Sequence, residues 1–266
     1  MRGFFIAVVG LIAAPPAQGQ LKIVDVFACY GPRGPEGKSL EAVAGDRVFF
    51  GFGIEGVKTD VEGKFDLTME VEILSPAGLT LLKQQQPSRD ILALGGGSMP
   101  ASSNIQFSPD TPTGDYVLKT TVIDKLAEKS ASFERTVTLK KPEFAITNLA
   151  FFQDKEGKVS SPGTAVVGQL IHFRFLAMGF DRTKPQLKHV MLVQTLDKKG
   201  RELMPKPIRA EVTLTDANVI ATAPGLAFNG ALGMNRVGEF QLRLTVIDDV
   251  SERKTELTVP IKVVAP

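Results

Sequence analysis

Phe240, Leu242, Leu244 and Val246 alternate with Gln241, Arg243, Thr245 and Ile247. A period of two sends successive side chains to opposite faces of a strand. This segment therefore predicts a strand with one face on a core and the other mostly toward water. Tyr116, Leu118, Thr120 and Val122 repeat the pattern against Val117, Lys119 and Thr121. An Asp follows each segment, Asp124 and Asp248, and its side chain suits a turn start because it can accept from backbone amides ahead of it. A second alternating strand then returns. It carries Phe133, Val137 and Leu139 in one case and Leu257, Val259, Ile261 and Val263 in the other. Each pair predicts a hairpin with charged residues at its tip. Val48, Phe50 and Phe52 alternate as well, as do Ile171, Phe173 and Phe175, and Leu67, Met69, Val71 and Ile73. The run from Val190 to Leu196 is more continuously apolar, which predicts a central strand. Ser75 to Gly78 and Asp197 to Gly200 supply turns. No long segment has helical periodicity, and short strands separated by turn residues predict a β-sandwich.

The pattern occurs twice. Gly114-Asp-Tyr-Val-Leu-Lys-Thr-Thr-Val-Ile-Asp124 matches Gly238-Glu-Phe-Gln-Leu-Arg-Leu-Thr-Val-Ile-Asp248. Gly45 to Phe52 matches Gly168 to Phe175, Leu74 and Gly78 match Leu196 and Gly200, and Ile23-Val24-Asp25 matches Ile146-Thr147-Asn148. Four segments in one order, at an offset of 122 to 124 residues, mark an internal repeat. The expected fold is all-β: two tandem Ig-like antiparallel β-sandwich domains from an internal duplication. The expected bounds are 20–140 and 143–266, with Lys140-Lys141-Pro142-Glu143 as the linker.

Composition agrees with packed domains. The chain has 266 residues, of which 43% are hydrophobic and 23% charged, enough for two cores. Its 31 basic and 29 acidic residues leave a net charge of +2, without the basic stripe that a nucleic-acid partner requires. Arg2, the apolar run Gly3 to Ala14, the break at Pro15-Pro16 and the small residues at Ala17-Gln18-Gly19 read as a signal peptide over 1–19. The run is too short for a bilayer span, so no membrane span is expected after cleavage. Cys29 is the one cysteine, which excludes an intrachain disulfide framework and predicts a buried free thiol.

Asp110-Thr-Pro-Thr-Gly114-Asp-Tyr116, followed by the strand to Asp124, resembles the strand-F region of bacterial Ig-like and cadherin-like repeats. The resemblance implies a tyrosine corner, in which the Tyr116 hydroxyl ties back to nearby backbone. Phe240 in the second copy keeps only the packing half of that motif. With no Trp and no cysteine pair, antibody-type domains are not implied.

Candidate chemistry is sparse. His172 reads as a packed or edge histidine beside Phe173, and His189 as exposed at a strand start. Neither has a metal-ligand spacing with other His or Cys. Gly95-Gly96-Gly97-Ser98 has no following helix to receive a phosphate and reads as a loop. Asp124, Asp248 and Asp249 stand at strand ends, where calcium-binding Ig-like repeats can place ligands, and they are the calcium candidates; Asp60, Glu62 and Asp66 add an acidic loop. No catalytic residue and no other cofactor is expected. Sugar platforms usually use exposed Trp and Tyr, and this chain has no Trp and two Tyr. The expected function is an exported, non-catalytic structural or protein-interaction module, periplasmic, cell-surface or extracellular, binding an unspecified protein. The alternative is a calcium- or glycan-binding module.

Overall fold

A computed structural model describes residues 20–266, so the export signal read over 1–19 lies outside the described residues. The strands are β1 (Lys22–Cys29), β2 (Glu41–Val43), β3 (Arg47–Glu55), β4 (Lys64–Leu74), β5 (Thr80–Ile91), β6 (Ser98–Gln106), β7 (Gly114–Asp124), β8 (Lys129–Lys140), β9 (Ala145–Phe152), β10 (Thr164–Val166), β11 (Leu170–Met178), β12 (Leu187–Asp197), β13 (Ile208–Leu214), β14 (Leu226–Gly233), β15 (Gly238–Asp248) and β16 (Arg253–Val264). A single short helix among the described residues, α1 (Ala217–Thr222), is capped by Asp216, whose carboxylate accepts the Asn218 and Val219 amides.

The strands form four sheets. A three-stranded sheet β1-β3-β6 accompanies a five-stranded sheet β2-β8-β7-β4-β5; β14-β11-β9 accompanies β10-β16-β15-β12-β13. The protein is all-β, with a sandwich fold. Pairing is antiparallel except at β2 on β8 and β10 on β16, two short parallel additions. The two halves share their registers. Gly114 faces Leu139 as Gly238 faces Val263, and Leu67 faces Asp124 as His189 faces Asp248. β1 and β9 each carry a bulge, and Asp25 and Asn148 take positive φ, 51° and 53°, at the same place in it. A bulge needs one residue off the pleat, and Asp and Asn are the non-glycine residues that tolerate the left-handed region best.

Alternation becomes a core as expected. Phe50, Leu118, Tyr116 and Leu139 pack in the first sandwich; Phe173, Phe175, Leu242 and Leu244 pack in the second. β12 does lie inside its sheet, between β15 and β13. β5 carries no two-residue period, because every one of its residues is exposed. With neither face on a core, nothing selects apolar residues at alternate positions.

Four residues separate β8 from β9, but the halves also touch through buried groups. Tyr30 is buried in the core cluster of the second sandwich. Asp46, 4% exposed, receives the Lys38 ammonium at 2.8 Å, the Arg47 amide at 2.8 Å and the Asn148 amide at 3.0 Å. The Asn148 side chain also donates to the Gly45 carbonyl at 2.8 Å. Gly45 has a φ of +86°, and a Cβ there would lie 2.2 Å from the Met178 Cε. The left-handed backbone there favours glycine, and the Met178 thioether packs against it. Burial, aided by the Asp46 charge, pushes the Tyr30 phenol up to about 12.

Candidate functional site

Of the three carboxylates singled out above, Asp124 and Asp248 cap their own turns. Asp124 is fully buried and accepts the Leu126 and Ala127 amides on one oxygen and the Lys58 amide on the other, at 2.8–2.9 Å. Asp248 accepts the Val250 and Ser251 amides and the Ser251 hydroxyl. Asp249 pairs with Lys188 at 3.2 Å. Asp124 and Asp248 occupy equivalent positions of different sandwiches, so the fold does not bring them together. Asp60 accepts the Glu62 and Lys64 amides, and Asp66 pairs with Arg89. Among the described residues no three His, Cys, Asp or Glu side chains converge where a metal could be held. Gly95 to Gly97 lie in the loop between β5 and β6.

Tyr116 makes the tyrosine corner: its hydroxyl donates to the Pro112 carbonyl at 2.7 Å, and its ring meets Phe107 edge-on at 5.2 Å. Tyr116→Phe should therefore lower stability by about 1 kcal/mol in urea unfolding, the value of one net hydrogen bond. Cys29 is buried, donates to the Gly31 carbonyl at 3.2 Å, and is pushed up to about 11 by burial. It is a packed thiol with little thiolate at neutral pH.

His172 is half-buried in the middle strand β11, between β14 and β9. His189 corrects the expectation of an exposed histidine: it is completely buried. It projects inward from β12 between the rings of Phe144 and Phe180, at 5.5 and 5.8 Å. Those rings arrive from other elements, which is why a position next to Lys188 gave no sign of burial. Neither ring nitrogen has a hydrogen-bond partner. The nearest Asp248 oxygen is 3.9 Å away, beyond hydrogen-bonding reach, and Arg253 reaches that same carboxylate at 3.6 Å. Burial holds the imidazole below its usual range, opposed by Asp248 and reinforced by Arg253. Burial alone would raise Asp248, but the Ser251 bonds, the His189 charge and the Val250 amide together hold it below the ordinary carboxylate range.

The pH consequence follows in sign. As pH falls below about 6.5, the unfolded chain protonates at His189 while the folded chain resists, so stability drops until the lower folded pKa is passed. The Asp248 contribution is lost separately, below about pH 4. Leu67 occupies the matching position in the first sandwich. His189→Leu should thus raise stability by about 1 kcal/mol at neutral pH, by removing unpartnered polar atoms. It should also flatten the urea-midpoint profile between pH 7 and 5; an unchanged slope would count against this account.

Sequence reasoning missed one feature. At the end of the second sandwich, Leu232, Met234, Phe240, Ile261 and Val263 line an open cavity of about 550 Å³. Phe240 is only half-buried, and the Arg236 guanidinium stands over its ring at 5.1 Å. A second depression, lined by Lys198, Lys199 and Arg201, adjoins it at Phe240 and Arg236. The missing hydroxyl at Phe240 was the available signal.

Fold and side-chain placement together define an all-β sandwich protein whose polar side chains mostly secure turns and the junction between its halves. No protein-family model matches the chain, and no curated protein matches it. Among solved structures, the C-terminal domain of the Streptococcus agalactiae AgI/II polypeptide BspA is 12% identical over 91% of this chain and 99% of its own, with a TM-score of 0.28. A DUF4785 family protein from Legionella pneumophila is 12% identical over 85% of this chain and 56% of its own, with a TM-score of 0.26. Likenesses of that degree carry no argument about this chain's role. No helix among the described residues is long and apolar enough to cross a membrane.

Proposed function

We propose that this chain is an exported, non-catalytic module that binds another protein at the cell envelope or outside the cell. On this reading the halves are duplicated Ig-like domains, at 20–140 and 143–266. The observation that carries it is the junction: Asn148 of the second half donates to Asp46 and to the Gly45 carbonyl of the first, with Lys38 holding the Asp46 carboxylate, so polar bonds join the sandwiches as well as the linker. A buried, hydrogen-bonded contact resists hinge motion, and two domains fixed in orientation present surfaces at a constant spacing. Free strand edges, β13 and β14 among them, offer main-chain groups for pairing.

The test is site-specific photo-crosslinking in the source organism, with the probe at the exposed positions Leu81, Ile208 or Val237. A discrete protein adduct in the envelope or secreted fraction is expected. Recovery of the chain in the cytosol, or no adduct from any position, would remove the proposal.

A further inference from the structure

The two sandwiches end differently at equivalent places. In the first, Phe107 and Tyr116 close the end with edge-to-face rings and the hydroxyl bond to Pro112. In the second, Met234 and Phe240 stand at those positions: the Met234 amide donates to the Gln169 carbonyl as the Phe107 amide does to Asp46. A thioether replaces one ring, and the hydroxyl is gone. The end stays open as the cavity of about 550 Å³, over an apolar floor.

Two free strand edges flank this opening. β13 pairs only with β12, and β14 only with β11, so each leaves one row of backbone donors and acceptors unpaired. Neither contains a proline. β5 differs: Pro87 lies within it, flanked by Lys83 and Arg89, the residues that discourage edge pairing. The better-guarded edge is therefore the first sandwich's. The open one belongs to the second.

Charge selects the occupant. Arg236 lines the opening and the depression beside it, and Lys198 and Lys199 line that depression; none of the three has an ion pair among the described residues, whereas Asp197 is engaged by Arg201 at 2.6 Å and Glu239 is the one carboxylate there without a partner. The rim is net positive over an apolar floor. We infer that the groove at Phe240 receives an extended segment of a partner protein, adding to a free edge and placing apolar side chains on Leu232, Met234 and Phe240 and an acidic side chain against Arg236. This rests on the interaction role proposed above and locates it.

A random peptide display library panned on the full chain is the probe. Enriched peptides should alternate apolar residues beside an Asp or Glu. Arg236→Glu and Ile208→Asp, both at exposed positions, should keep the wild-type melting temperature and each weaken the best synthetic peptide about tenfold or more. Changing the peptide's acidic residue to lysine should restore binding to Arg236→Glu. Bound peptide should slow amide exchange in β13 or β14. Peptides that bind both variants unchanged, or protect β5 instead, would overturn the groove while leaving the interaction role standing. A library without enrichment, with heparin binding at the rim instead, would overturn it in favour of an anionic glycan.

Discussion

Phe173→Ala should lower stability by about 3–5 kcal/mol in chemical denaturation, the cost of deleting a buried ring whose neighbours cannot fully collapse. Phe173 is 1% exposed. Phe175 and Phe151 pack against it at 6.4 and 6.5 Å. Its ring also covers Gly230 so closely that a Cβ there would lie 2.3 Å from its Cζ. Gly230 has no side chain with which to fill the space, so the cavity persists. Phe50 is the matching residue of the first sandwich, equally buried and 6.4 Å from Phe133. Phe50→Ala should cost a similar amount. A loss below about 1 kcal/mol at either position, the range of a surface change, would mean the two halves are wrongly aligned.

Asp46→Ala should cost about as much, because it leaves the Lys38 ammonium buried without its partner. The Lys38 and Asp46 side chains are 10% and 6% exposed. The same substitution removes the acceptor of the Asn148 amide, so it acts on the contact between the halves as well. Calorimetry should show this directly: one cooperative transition in the wild type, two after Asp46→Ala. The double variant Lys38→Met, Asp46→Asn removes both charges together and should recover a large part of the loss. If Asp46→Ala melts as a single transition at the wild-type temperature, the junction is not held by this residue.

Strands packed on one side were legible because burial imposes a period of two. Tyr116, Leu118 and Val122 must reach one core, and Val117, Lys119 and Thr121 face away from it. β5 was not legible: it is an edge with no buried face, and selection for alternation vanishes with burial. β13 keeps a half-buried face, with Ala210, Val212 and Leu214 alternating against Arg209, Glu211 and Thr213, a signal confined to seven residues. The turn role of Asp124 and Asp248 could be read locally, since an aspartate bonds amides two and three residues ahead.

The amino-acid order by itself determined the strand periodicity, the repeat at an offset of 122 to 124 residues and the turn chemistry, while the tyrosine corner at Tyr116 was implied by a resemblance carried by a few neighbouring residues. Each depends on residues close in the chain or on a pattern copied along it. Tertiary structure alone decided that His189 is buried, since Phe144 and Phe180 reach it from other elements. It also decided that Asp46 meets Asn148, and that Met234 and Phe240 leave a groove between two free edges. Those features depend on how strands distant in sequence come to lie against one another, and hydrophobic alternation along a single strand carries no record of which neighbour it will face.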